Sequence, residues 1–135
     1  MPVQWSAAVR NALLDAWEAT IGTAARIEIR TGPQPATTAT AASGTVLVTF
    51  TLAADWASNA AAGVKGFSSL PVNASAGATG AAGHYRITDS AGTTCHEQGS
   101  VTATGGGGDL TVDNVSISSG QAVQITAWSK TAPGA

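Results

Sequence analysis

The sequence predicts a mainly β protein, an antiparallel β-sandwich or jelly roll with one N-terminal amphipathic helix. Three observations carry this. Only the segment before Gly22 is an unbroken run of good helix formers. After it, apolar residues recur with period two, and turn formers interrupt them at fairly regular intervals. At 135 residues the chain can build one core but not two, so it reads as a single domain, 1–135, with the helix about 6–21 and the sandwich about 25–129.

Ser6 precedes "AAVRNALLDAWEAT" and can cap it by accepting a backbone N–H, while Gly22 supplies the stop. Val9, Leu13, Ala16, Trp17 and Thr20 share three- and four-residue spacings and form the expected apolar stripe, packed on the sheet through Leu13 and Trp17. Arg10, Asn11, Asp15 and Glu18 form the expected wet face. Trp17→Ala should then cost about 3 kcal/mol.

About seven strands follow. "ARIEIRT" puts Ile27 and Ile29 on one face and Arg26, Glu28 and Arg30 on the other; "GPQP" ends it, because proline donates no ladder hydrogen bond. "ATTATAAS" (36–43) is a low-complexity loop of small residues, expected to be mobile. "TVLVTFTL" turns Val46, Val48, Phe50 and Leu52 to one side. "VKGFSSLPV" is a weaker strand broken by Gly66, "NASAGATGAAG" a long Gly/Ala loop, and "DLTVDNVSI" and "QAVQITAW" two strands joined by "SSG". With 44% hydrophobic but only 5% aromatic residues, much of it alanine, the core must rest on few side chains. These are Leu13, Trp17, Ile27, Ile29, Val46, Val48, Phe50, Leu52, Ile87, Val112, Ile117, Val123 and Ile125.

"HYRITDSAGTTCHEQG" (84–99) concentrates the chemistry: two histidines, the only cysteine, a glutamate and an arginine. Ser90-Ala91-Gly92 suits a three-residue hairpin loop, with Gly92 left-handed. That register pairs Ile87 with Cys95, Tyr85 with Glu97, Arg86 with His96 and His84 with Gln98. Tyr85, Ile87, Cys95 and Val101 then face the core, and His84, Arg86 and His96 face out. Cys95 and His96 point to opposite faces and cannot share a metal, and no third ligand joins His84 and His96. Cys95 has no base on its own face and reads as a small buried hydrophobe. Glu97 is the misfit, a charge directed inward. The stretch reads as a hairpin rather than a site.

Other candidates carry no chemistry either. "TGGGGD" (104–109) lacks the Lys-Ser/Thr and helix of a phosphate loop and reads as a hairpin connection. Asp15, Glu18, Glu28, Asp55, Asp89, Glu97, Asp109 and Asp113 are scattered, and Asp89, Asp109 and Asp113 sit where aspartate caps backbone donors. Trp5, Trp56 and Trp128 could form a sugar-stacking platform, although core or interface anchoring is the commoner use. No catalytic, metal or cofactor-binding residue is assigned, and the chain does not read as an enzyme.

Six Lys and Arg without a basic run argue against nucleic-acid binding. No apolar run is long enough to cross a membrane. One cysteine fits a reducing site of synthesis, and "MPVQWSAAVR" lacks the pattern of a secretory signal. A chain with only 10% charged residues and net charge -2 suits a protein whose surface is partly covered by neighbours.

The order of segments, a short helix, then "RIEIRTGPQP", "GTVLVTFTL", a Gly/Ala loop, "GHYRITDSAGTTCHEQGSV" and "ISSGQAVQITAW", resembles a group of small structural proteins encoded among the virion genes of tailed bacteriophages. The resemblance spans roughly residues 6–128. It implies a virion component made in the bacterial host cytoplasm, such as a capsid decoration or cement protein. Its partners would be itself, as a dimer or trimer, and a major capsid protein. The alternatives are a carbohydrate- or receptor-binding module of a fibre or adhesin, and a neck or tail component.

Overall fold

A computed structural model describes residues 3–68 and 72–135; Ser69, Leu70 and Pro71, at the end of the "VKGFSSLPV" segment, lie outside them. Helix α1 (Ala7–Ile21) starts and stops as its sequence dictates. The Ser6 hydroxyl accepts from the Val9 N–H at 3.2 Å, and Gly22, at φ 93°, ends it by donating to the Glu18 carbonyl.

Its orientation reverses the expectation. Val9 and Leu13 are 47% and 44% exposed, Ala16 and Thr20 are exposed too, and only Trp17, at the border of the stripe, packs inward. Leu14, Ile21 and Arg10 are buried instead. The face read as wet is the docking face. Arg10 Nε and Nη2 donate to the Ala132 carbonyl at 3.2 and 2.9 Å, and Asn11 Oδ1 accepts from the Gly63 N–H at 2.8 Å. Asp15 accepts from the Ala60 N–H, and Lys65 reaches Asp15 and Glu18. The cause is the polar backbone beside the helix. The stretch 60–65 and the chain near Ala132 present groups that would be costly to bury unpaired, and only this face can pair them.

Ten strands follow among the described residues: β1 (Arg26–Thr31), β2 (Val46–Thr51), β3 (Val64–Gly66), β4 (Val72–Ser75), β5 (Gly80–Thr88), β6 (Cys95–Ala103), β7 (Leu110–Val112), β8 (Ser116–Ile117), β9 (Ala122–Ala127) and β10 (Ser129–Thr131). The fold is mainly β with one N-terminal helix. One large sheet runs β2-β1-β5-β6-β7-β9-β4, with β8 on β5; β3 and β10 form a small second sheet. Just past β4, the Gly77 N–H donates to the Leu47 carbonyl of β2 at 2.8 Å, bringing the two ends of the large sheet together. The strands thus curl into one nearly closed, mixed sheet, with the small second sheet beside it.

Among the described residues one strand pair is parallel, β6 with β7. It makes "TGGGGD" a tight backtrack instead of a hairpin connection. The loop folds over Thr102, whose Oγ1 accepts from the Gly108 N–H at 2.9 Å, and a Cβ at Gly106 or Gly108 would strike the Thr102 side chain. The "NASAGATGAAG" segment is likewise not a loop throughout: it supplies most of β4 and the start of β5. A Cβ at Gly83 would run into the Gly32 backbone, and one at Gly80 would press on Thr31 and Leu47. Small residues stand here because the strand is crowded.

Ile27, Ile29, Val48, Phe50, Leu52, Ile87, Val112, Ile117, Val123 and Ile125 are buried as expected. Leu13 is exposed and Val46 only half-buried, while Leu47 and Leu110 are fully buried additions, and Tyr85 is fully buried on the core side as expected. Adjacent Leu47 and Val48 are both buried, so β2 is covered on both faces.

Candidate functional site: a loop clamped to the sheet

The 84–99 stretch is a hairpin, with a register two residues away from the expected one. Tyr85 pairs with Gly99, Arg86 with Gln98 and Ile87 with Glu97, then a bulge brings Cys95 opposite Thr88. Asp89 causes the change. Its carboxylate accepts from the Thr93 N–H and hydroxyl at 2.9 and 3.0 Å and from the Thr94 N–H at 3.4 Å, which draws both threonines into the turn. Gly92 is left-handed as expected, at φ 73°.

A shift of two keeps Tyr85, Ile87 and Glu97 on the inner face. The bulge moves Cys95 to the outer face, beside Thr88 and Arg86, contrary to the core placement expected for it. His84 sits opposite Ser100, so His96 lies four residues further along β6, about 13 Å away. The two histidines do not converge.

The outer face is not solvated. His84 and Arg86 are buried, because the loop between β1 and β2 lies across them. Three strands hold that loop by its carbonyls. Arg86 Nη2 donates to Thr38 and Thr40 at 2.9 and 3.1 Å, Gln98 Nε2 to Pro35 at 2.7 Å, and Arg30 Nη1 to Ser43 and Gly44 at 3.4 Å. His84 Nδ1 bonds the Gly32 carbonyl at 2.8 Å, and Nε2 has no hydrogen-bond partner among the described residues. Arg86 Nη1 also donates to Gln98 Oε1, and Arg30 pairs with Glu28 at 2.8 Å. A segment without regular structure thus receives side-chain donors in place of ladder hydrogen bonds. The loop expected to be mobile, Ala36–Ser43, is clamped.

Between this loop and the 92–95 turn lies a cavity of about 450 Å³, lined by Glu28, Arg30, Arg86, Thr88, Cys95 and the loop itself. Burial pushes the Cys95 thiol up, against the opposing pull of Arg86, and its Sγ donates to the Glu97 carbonyl at 3.2 Å. A thiol held protonated is a poor nucleophile.

On the inner face Glu97 finds its explanation. It accepts from the Tyr85 hydroxyl at 2.7 Å and from Lys130 at 2.8 Å, so the inward charge is paired twice. Burial first, then the Glu97 charge, raises the Tyr85 phenol far above its ordinary value. Gly99 leaves room for the Tyr85 ring; a Cβ there would stand 2.8 Å from it. Asp109 accepts from the Ser100 N–H and hydroxyl, both at 3.0 Å, and Asp113 accepts from the Gln124 N–H. With Asp89, these are the backbone caps expected of them.

The tryptophans do not form an open platform. Trp56 and Trp128 are 3% and 4% exposed and pack with Trp17 and Phe67, with ring centroids 4.6 to 6.3 Å apart. Trp56 Nε1 donates to the Gly22 carbonyl at 2.9 Å, tying the cluster to the end of α1. Two buried cations escaped sequence reasoning, Arg10 and Lys65. Arg10 carries no signal, whereas the alternation in "VKG" places Lys65 on the face opposite Val64, which is exposed.

No family model matches the chain, nor does any curated protein or solved structure with which it was compared.

Proposed function

We propose that the protein is a non-catalytic structural component of a phage virion, a decoration or cement protein bound to copies of itself and to a major capsid protein. One observation supports a non-catalytic role above the others. The side chains able to do chemistry are engaged in holding the chain to itself: Arg30, His84, Arg86 and Gln98 clamp the loop, Glu97 holds Tyr85 and Lys130, and Asp15 and Glu18 hold Lys65. What remains is a stiff body with few free charges, suited to adding contact area on a shell. The resemblance of its segment order to small virion proteins of tailed bacteriophages supports this location. Burial of Trp56 and Trp128 weighs against a sugar-binding tip.

Quantitative mass spectrometry of purified particles of the phage whose genome carries this sequence tests the reading. The expected count is on the order of tens to hundreds of copies per particle, as on a capsid lattice. Absence from the particle defeats the proposal, and a count of about six or twelve moves the protein to the neck or tail.

A further inference from the structure

Three of the four arginines, Arg26, Arg30 and Arg86, gather on the outer face of β1 and β5 around the cavity under the β1–β2 loop. Arg30 and Arg86 line it, and a Cβ on Gly92, another lining residue, would stand 3.3 Å from Arg26 Nη1. In a chain with six basic residues and a net charge of -2, this is a concentration of positive charge. The acids nearby are already occupied. Glu28 pairs with Arg30 at 2.8 Å, and Asp89 gives its oxygens to the Thr93 and Thr94 N–H groups of the turn. Arg86 is 4% exposed, yet its acceptors, the Thr38 and Thr40 carbonyls and the Gln98 amide oxygen, are all neutral. Arg26 is half-buried, and its guanidinium has no hydrogen bond or ion pair among the described residues. A cation withdrawn from water without an opposite charge is costly, and an anion in the cavity would relieve that cost.

We infer that this cavity binds a small hydroxylated organic acid, of the chemistry of an acidic sugar, its carboxylate held by Arg86 and Arg26 and its hydroxyls by the turn and the clamped loop. The charge selects an anion, and the guanidinium fork selects a carboxylate, which it meets with two parallel hydrogen bonds. The rest of the ligand follows from size and lining. At about 450 Å³ the cavity falls within the roughly 300–1,000 Å³ of small-molecule sites, far more than a bare carboxylate fills. Its lining offers the hydroxyls of Thr88, Thr93 and Thr94 and the backbone of residues 38–42, with no aromatic ring among the described residues, which suits a hydroxylated body better than an apolar one. The inference goes beyond the virion reading and does not rest on it.

Isothermal titration calorimetry of the intact chain at low salt tests it. The probes are glucuronate, galacturonate and N-acetylneuraminate, with glucose and acetate as controls for the body and the charge alone. At least one acid should saturate a single site with a Kd of about 1 mM or tighter, and both controls should bind at least about tenfold more weakly. Arg26→Gln should weaken that binding at least about tenfold. It should leave the circular dichroism and thermal midpoint of the unliganded protein at the parent's, because the guanidinium holds nothing else in place among the described residues. Cys95 reports the position: it lines the cavity and is the only cysteine, so the saturating acid should slow its alkylation by iodoacetamide. The inference is overturned if none of the three acids saturates a site, or if acetate or glucose binds as well as the acids. Binding untouched by Arg26→Gln, or alkylation indifferent to bound acid, overturns it too. None of these results touches the particle count, which tests the virion reading separately.

Discussion

Arg10 is buried among backbone carbonyls rather than paired with an acid, so its worth lies in the acceptors it satisfies. Replacing it by methionine keeps most of the packing but leaves the Ala132 carbonyl without its donor. Arg10→Met should cost about 2 kcal/mol in urea unfolding, the usual penalty for an orphaned buried polar group. Tyr85 offers a sharper test because it is the only tyrosine. Its hydroxyl donates to Glu97 inside the sheet, so the phenolate would be both desolvated and repelled. The ultraviolet phenolate band should stay absent in the native protein well above pH 10.0, where a free tyrosine is half ionised, and appear only with unfolding. Phenolate formation at the ordinary value in folded protein would break the assignment of the Tyr85–Glu97–Lys130 cluster.

At the scale of elements, the clamped loop shows what local pattern can and cannot reveal. Arg86→Ala removes the donors to Thr38 and Thr40, while Arg30, His84 and Gln98 still hold the two ends. The sheet should survive, and the middle of the loop should become open to an alanine-cutting protease at least about ten times faster than in the parent, an opening equivalent to about 1.4 kcal/mol. The strand positions of Ile27, Ile29, Val48, Phe50, Val123 and Ile125 were legible because alternation is a local property of the chain. The caps Ser6, Gly22 and Asp89 were legible for the same reason. Other features depend on distant partners. Helix α1 carries two apolar arcs, Leu14-Trp17-Ile21 and Val9-Leu13, and the choice between them is made by backbone groups near Ala62 and Ala132. The hairpin register turned on how many donors Asp89 would draw into its turn. The clamp was invisible because its acceptors are main-chain carbonyls in an alanine- and threonine-rich segment that reads as mobile, and composition does not say what lies beneath a loop.

For the whole molecule, the paired charges set a window of pH in which the fold is stable. Hydrogen bonds hold three aspartates below their ordinary 3.8: chiefly Lys65 on Asp15, the Thr93 N–H on Asp89 and the Ser100 N–H on Asp109. A depressed carboxylate stabilises the fold above the unfolded value, and that stability is lost as pH falls through the folded one, since the unfolded chain takes up the proton first. The alkaline side runs in the opposite sense. Burial alone would lower Lys65, but its bonds to Asp15 and Glu18 outweigh that and leave it above 10.5; Tyr85 lies above 10.0. Both contribute fully below their unfolded values and lose that contribution as pH rises past them. The thermal midpoint, followed by circular dichroism, should therefore be level from about pH 4 to about pH 10 and fall on either side. Tyr85→Phe should lower the plateau, because Glu97 loses a donor, while making the alkaline decline shallower, because no phenol remains to ionise on unfolding. The two effects have opposite signs and one origin. An alkaline slope left unchanged by Tyr85→Phe would show that the phenol ionises alike in the folded and unfolded chain, and would overturn its burial against Glu97.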